Sequence, residues 1–199
     1  NELFTEIVVV AEKGVNDERV ALFRDRGYSV LESSKGSVLQ TVIEDETTIT
    51  SDEVLFYPLS SEYSSNKITE MLLQLDRGVD MVIGSRFMIG GGRVSKSGPE
   101  GLRSVGNRLF NLLVNLLFYS NVTDSFSQFR AIKRSRLKEL HVRGSRIHDY
   151  LAMTVRAVRN RWEIKEIPVQ EVVPISKRKV WEIFKSILPS VIVLFRERK

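Results

Sequence analysis

The chain has 199 residues, a net charge of +5 and no cysteine. Its length suits one α/β domain with a sizeable core, and the lack of cysteine excludes disulfides and thiolate metal sites and agrees with a reducing, cytoplasmic compartment. The opening residues show no signal-peptide pattern, and the most apolar stretches, Leu109–Tyr119 and Val191–Phe195, fall well short of the roughly 20 residues of a membrane span.

In chain order, Glu6–Val10 reads as a buried strand. Asn16 or Asp17 caps a helix running to Arg26, which Gly27 stops. Tyr28–Leu31 is the next strand, and Ser37–Ile49 reads as helix despite its Thr-rich end. Glu53–Tyr57 is a strand ended by Pro58; Asn66–Arg77 has helical spacing and stops at Gly78; Met81–Ile83 is a strand again. Strand, helix, strand at this rhythm implies a parallel sheet with crossover helices. The Gly- and Ser-rich segment from Ile89 to Gly101 predicts a loop, mobile over Gly90–Gly101. Leu102–Ser120 is a long helix, apolar over most of its circumference, with Asn111 and Asn115 on one face. Phe129–Ile132 is a strand candidate, Ser135–Leu140 a short helix, Ile147–Arg161 a helix and Trp162–Pro168 a strand. Lys177–Leu188 is amphipathic, with Val180, Trp181, Phe184, Ile187 and Leu188 on one side.

Charge is spread unevenly. Residues 1–100 hold 10 Lys/Arg and 17 Asp/Glu, whereas residues 101–199 hold 20 and 8. The basic half suits an anionic partner such as a phosphate or a lipid headgroup. Zinc-finger spacing and RNA-binding aromatic signatures are absent, which argues against nucleic acid. His141 and His148 stand among basic residues and read as surface histidines, not as a metal pair.

Two motifs carry the chemistry. Val79–Arg86 is a buried-strand pattern running into Gly84-Ser85-Arg86, and a strand end of this kind presents backbone N–H groups and a fixed cation to a ligand phosphate. Asp124–Ala131 places a carboxylate, hydroxyls and Arg130 within eight residues. Arg86 and Arg130 can clamp an anion, or each can pair with a local carboxylate such as Asp80 or Asp124. Asp124 can act as a base, orient an arginine, or serve as a turn residue.

The two motifs resemble the "D-V-V-I-G-S-R" and "D-x-x-S-G-F-R-A" of family 2 glycosyltransferases, especially the polyprenyl-phosphate (dolichol-phosphate) sugar transferases. The resemblance covers roughly Glu6 to Ile187. It implies a GT-A-like α/β fold over residues 1–175: a mostly parallel sheet with helices on both faces, followed by an amphipathic C-terminal extension over 176–199. It also implies transfer of a sugar from a nucleotide sugar to a polyprenyl phosphate. On the acceptor-phosphate and sugar side, Ser85, Arg86, Arg103, Asn107, Ser127, Arg130, Ser176 and Lys177 match family motifs, and Asp124 is the catalytic candidate. Gln128 replaces the usual glycine.

The donor side departs from the family. Ala11-Glu12-Lys13-Gly14 stands where Asp-Asp-Gly-Ser is usual, and Pro58, Leu59 and Ser60 stand where Asp-x-Asp holds Mg²⁺ or Mn²⁺. Such a hard cation needs several oxygen ligands, preferably anionic. Glu12, Ser60 and Glu62 are the weak remaining donor-side candidates. The first family strand has no room before Glu6. The family's acidic residue near Ala152 is absent, with Asp149 one turn earlier, and Glu171 and Pro174 replace the Arg and Gly of the late "R-x-x-G-x-S-K".

The residues therefore predict an eroded metal and donor site with no metal or other cofactor expected from the motifs, and Mg²⁺ or Mn²⁺ if the protein is active. They predict either a divergent enzyme or a non-catalytic relative that binds a phosphorylated lipid or a protein partner. The C-terminal helix packs on the sheet or lies on an anionic membrane surface, and a homo-oligomer stays open.

Overall fold

The structure is a computed structural model that describes residues 6–12, 18–33, 37–45, 47–58, 62–95, 100–140, 146–173, 191–192 and 194. Among them the order is β1 (Val8–Glu12), α1 (Glu18–Asp25), β2 (Ser29–Ser33), α2 (Val38–Glu44), β3 (Glu53–Phe56), α3 (Ser65–Asp76), β4 (Met81–Ser85), β5 (Gly92–Ser95), α4 (Glu100–Phe118), β6 (Arg130–Lys133), α5 (Arg134–Glu139), α6 (Arg146–Arg159), β7 (Ile164–Pro168) and β8 (Gln170–Val173).

The central sheet runs β3-β6-β4-β7, beside a β1-β2 pair and a β5-β8 pair. β4 is parallel to β7, whereas β6 runs antiparallel to both β3 and β4. β4 is buried along its whole length, as expected of an interior strand covered on both faces. The pleat sorts its side chains: Met81 and Ile83 join Leu39, Val42, Ile132, Met153 and Trp162 in one core. Val82 joins Met71, Leu75, Phe129, Ala131 and Ile167 in the other. Helices α2 and α6 cover the first face and α3 the second, so the expected helices on both faces are present.

Several boundaries differ from the sequence reading, each for a local reason. The first strand lies two residues later than expected and takes in Glu12. α2 stops at Glu44 because the Asp45 carboxylate accepts hydrogen bonds from the N–H groups of Thr48 and Ile49, at 3.0 and 2.8 Å. This local bonding diverts the Thr-rich end from the helix. The expected Gly-rich loop contains β5, which pairs in parallel with β8, a strand the periodicity did not reveal. Close approach explains Gly91 there: a Cβ would meet the Ser85 carbonyl oxygen at 2.5 Å. Residues 96–99 of that segment lie outside the described residues, as does the predicted amphipathic helix Lys177–Leu188. Of the C-terminal extension, Val191, Ile192 and Leu194 are described and helical.

β4 and β6 touch where Gly84 faces Phe129. A Cβ on Gly84 would lie 2.8 Å from Phe129 Cδ1 and 3.2 Å from its carbonyl oxygen. Gly84→Ala should therefore cost about 1–3 kcal/mol in urea unfolding through overpacking. An unchanged midpoint would show that the two strands separate freely.

Candidate functional site

Parallel β3, β4 and β7 end on one edge of the sheet, and antiparallel β6 begins there. That edge gathers Tyr57, Arg86, the turn of residues 120–129 that leads into β6, and the β7–β8 junction. The two sequence motifs thus meet in space although some forty residues separate them.

Arg86 directly follows β4. Its Nε and Nη2 donate to the two carboxylate oxygens of Asp124 at 2.7 and 2.8 Å, and its backbone N–H adds a bond to Oδ2 at 3.1 Å. Nη1 donates to Glu171 Oε2 at 3.1 Å. Glu171 Oε1 accepts the Tyr63 hydroxyl at 3.0 Å. The Arg86 side chain is 11% exposed, Asp124 0% and Glu171 7%, so this pairing is largely removed from water. Burial opposes the charge on Arg86, but Asp124 and Glu171 outweigh it and raise its pKa above the ordinary value. Burial, reinforced by Glu171, also raises Tyr63, which stays neutral and donates. Tyr63 stacks on Phe129 with ring centroids 4.3 Å apart, and Tyr57 meets both rings edge-on.

The turn that carries Asp124 is tied down from several sides. From α4, Asn115 Oδ1 accepts the Val122 N–H at 3.0 Å and its Nδ2 donates to the Val122 carbonyl at 3.0 Å. Asn111 donates to the Thr123 carbonyl and accepts the Ser125 N–H at 3.0 Å. The Asn111/Asn115 face seen in the sequence is therefore a clamp on this turn. From β7, Glu166 accepts the N–H groups of Thr123 and Asp124 at 2.8 and 3.0 Å, and the Thr123 hydroxyl at 3.0 Å. Burial raises Glu166 above the usual carboxylate range although these bonds pull it down.

Arg130 is a correction to the sequence reading. It was expected in the phosphate clamp, but it is 0% exposed, beneath the turn. Nε donates to the Ser127 carbonyl at 2.8 Å, Nη1 to the Tyr150 carbonyl and the Thr154 hydroxyl, each at 3.2 Å, and Nη2 to the carbonyls of Ser125 and Ser127. The guanidinium also lies 5.1 Å from the Tyr150 ring centroid. Burial draws its pKa below the ordinary arginine value. These internal acceptors occupy every nitrogen of the fork, so Arg130 joins the turn to α6 and presents nothing to a ligand.

Ser127 and Ser85 are buried as well. The Ser127 hydroxyl donates to the Gly84 carbonyl at 2.7 Å, and Ser85 shares a 2.6 Å bond with Thr123. Both serve the turn, not an open anion site. Asp124, expected as base or orienter, has both oxygens engaged by Arg86, which is the orienting geometry.

Asn107 is partly exposed on α4. Arg103 lies in α4, but the described features there are those of its backbone alone. Glu12 closes β1, again with only its backbone described. Glu62 is exposed and pairs with Val172 through an isolated bridge. Ser60, Ser176, Lys177 and His141 lie outside the described residues, as does the side chain of His148. Asp149 is buried, receives the Ser37 hydroxyl at Oδ2, and leaves Oδ1 without a hydrogen-bond partner.

Sequence reasoning missed the anchoring by Tyr63 and Thr123 and the pairing of Glu171 with Arg86. Glu171 carried a signal, an acid where the family motif has an arginine. It also missed Arg108, an exposed cation on α4 that lies 5.5 Å from the Phe87 ring centroid.

Among the described residues there is no group of three or more His, Asp or Glu that could hold a metal ion. Asp124 and Glu171 already face Arg86, and Pro58 has no ligand oxygen in its side chain.

Removing the guanidinium should separate the two acids energetically. Arg86→Met strands the Asp124 carboxylate in the interior and should cost about 3–5 kcal/mol in chemical unfolding, whereas Glu171→Gln keeps the Asp124 fork and should cost about 1–2 kcal/mol. Equal losses would show that Asp124 is not the principal partner. Arg130→Glu should fail to fold, whereas Arg136→Glu, on the exposed side of α5, should fold normally; a folded, soluble Arg130→Glu protein would contradict the buried assignment.

No family model matches the chain. Glycosyltransferase AglJ of Haloferax volcanii is 29% identical over 136 residues, which are 67% of this chain and 43% of that protein. The chain thus spans under half the length of this curated relative. Glucosyl-3-phosphoglycerate synthase from Mycobacterium tuberculosis, in complex with Mn²⁺, UDP-glucose and phosphoglyceric acid, superposes with a TM-score of 0.72 at 13% identity, over 98% of this chain and 69% of that one. The same synthase with Mn²⁺, UDP-glucose and glycerol 3-phosphate gives 0.71 at 13% identity, over the same shares. The chain is thus similar in sequence to a glycosyltransferase over two thirds of its length and has the GT-A-like fold that its motifs implied.

Proposed function

We propose that the chain forms part of an enzyme that transfers a sugar from a nucleotide sugar to a phosphorylated acceptor, with a polyprenyl phosphate as the acceptor class and the surface of a membrane as its place of work. The observation that carries this reading is the meeting of Gly84-Ser85-Arg86 with the Asp124 turn at one sheet edge, in a fold shared with nucleotide-sugar transferases. The relatives supply the donor and acceptor chemistry: the M. tuberculosis synthase is seen with UDP-glucose, phosphoglyceric acid and glycerol 3-phosphate.

In the proposed step an acceptor phosphate oxygen attacks the anomeric carbon. The bond from that carbon to the nucleoside diphosphate breaks, and the diphosphate oxygen keeps the electron pair. Asp124 acts as a positioning residue that fixes the Arg86 fork. Arg86 supplies positive potential at the sheet edge, tempered by Glu171. Arg108 is the exposed cation nearest Phe87 and is free to meet an incoming anion, and Arg103, Asn107, Ser176 and Lys177 belong to the same acceptor side in this proposal. Glu12, Ser60 and Glu62 stay on the donor side.

A second reading, a non-catalytic relative that binds a phosphorylated lipid or a protein, is favoured by one observation. Where the family motif has an arginine, this chain has Glu171, and that acid neutralises Arg86 instead of adding to the positive charge.

Incubation with UDP- and GDP-sugars, with and without Mn²⁺, and with a polyprenyl phosphate, 3-phosphoglycerate or glycerol 3-phosphate separates the readings. Mass spectrometry should find the glycosylated polyprenyl phosphate. Product on a soluble acceptor only would keep the transfer and replace the acceptor. The enzyme reading would be overturned by lipid-phosphate binding in calorimetry without product from any pairing. Tight, Mn²⁺-dependent binding of a nucleotide sugar is not expected, and a micromolar dissociation constant would show that the donor site is intact.

A further inference from the structure

Arg86 brings the fixed cation of the first motif to the site edge, and its donors are unevenly spent. Nε and Nη2 go to Asp124 at 2.7 and 2.8 Å, and Nη1 goes to Glu171 at 3.1 Å. A guanidinium has more N–H donors than these partners use, so Nη1 and Nη2 each keep an N–H without an acceptor among the described residues. Glu171, on β8, stands at the nitrogen that Asp124 leaves. Its carboxylate is held in place. Oε1 takes the Tyr63 hydroxyl at 3.0 Å, and the next residue, Val172, exchanges backbone hydrogen bonds with Glu62 at 2.9 and 3.0 Å.

Arg86 and Arg108 both lie against the Phe87 ring, 5.6 and 5.5 Å from its centroid. Asp124 and Glu171 balance these two cations, so the four charges sum to zero. An acceptor phosphate has Arg108 and the remaining Arg86 donors to meet. A further negative group on the same acceptor meets Glu171, with no other cation described beside the ring to offset it. The Arg86 and Glu171 side chains are 11% and 7% exposed, so water and salt screen that repulsion weakly.

We infer that Glu171 is a specificity-determining residue that selects the acceptor by charge. The site edge takes an acceptor whose phosphate is its only negative group and rejects one that carries a carboxylate beside the phosphate. A fixed like charge raised against the wrong ligand is a general route to specificity. The inference rests on the transfer reading above and names the acceptor class within it.

Glycerol 3-phosphate and 3-phosphoglycerate differ by such a carboxylate and form a matched pair of probes. Each is titrated into the chain at low salt, without nucleotide sugar, and followed by NMR chemical shifts. The parent should bind glycerol 3-phosphate at least about tenfold more tightly than 3-phosphoglycerate. Glu171→Gln should bring the two within about threefold of each other, chiefly by tightening 3-phosphoglycerate. Glu171→Asp keeps the charge, and Tyr63→Phe removes only the hydroxyl that Glu171 accepts; both should keep the parent's ratio. Circular dichroism establishes that the variants fold.

Equal affinity of the parent for the two probes would overturn the inference, and this outcome decides the matter even where Glu171→Gln does not fold. A ratio unchanged in folded Glu171→Gln would overturn it as well. So would a ratio lost in Glu171→Asp or Tyr63→Phe, which would mean that the shape of the pocket selects and the charge does not. Failure of both the parent and Glu171→Gln to bind glycerol 3-phosphate would show that Arg86 meets no anion. No sugar donor is present, so the two readings fail separately. An intact ratio without product in the transfer assay would remove the transfer reading and leave the charge selection standing. Transfer to 3-phosphoglycerate as efficient as to glycerol 3-phosphate would remove the role of Glu171 alone.

Discussion

A fully buried guanidinium holds the site edge of this molecule together. Arg130 begins β6 and donates to carbonyls of the turn before it and to Tyr150 and Thr154 of α6. Among the described residues no carboxylate touches it, so backbone dipoles, a hydroxyl and the Tyr150 ring take the place of water. A buried charge persists only where such partners converge, because the alternative is an uncompensated cation in a medium of low polarity. The convergence fixes the distance between sheet and helix and the path of residues 125–130. The position of Asp124 follows from that path.

The turn is then closed from outside by neutral amides on α4 and by Glu166 on β7. Each anchor satisfies backbone groups that would otherwise be buried without partners. The result is a preset Arg86–Asp124 fork whose geometry no single element could hold. The fork is rigid and also largely neutralised, since Glu171 adds a second acid to one guanidinium. The Arg86 cluster thus carries less net positive charge than the bare motif implies. Pro58 has no side-chain oxygen, and among the described residues no group of three or more acids or histidines stands together.

Helix α4 connects this chemistry to the surface. Its inner face clamps the turn through Asn111 and Asn115, its next face packs against α6 and Leu194, and its outer leucines face outward. A helix apolar nearly all round is found in a protein core or against lipid, and among the described residues this one meets a core on one side. One element therefore bears on both the order of the site and the packing of α6.

The sequence alone determined the order of strands and helices other than β5 and β8, because period-2 and period-3.6 patterns and glycine stops are local. Gly27 and Gly78 have φ of 81° and 106°, the left-handed values a helix stop requires. The same local logic placed Gly84-Ser85-Arg86 at a strand end and flagged the Asn111/Asn115 face. The family resemblance added the fold. Tertiary structure decided where each arginine is spent: Arg86 on Asp124 and Glu171, Arg130 on carbonyls beneath the turn. Arg86 and Arg130 look equivalent in a motif, but burial and partner choice depend on packing across α6, β7 and β8, far apart in the chain. The antiparallel course of β6 and the β5-β8 pair were hidden for the same reason: strand direction and pairing are set by contacts between distant segments, whose energies no short window of residues contains.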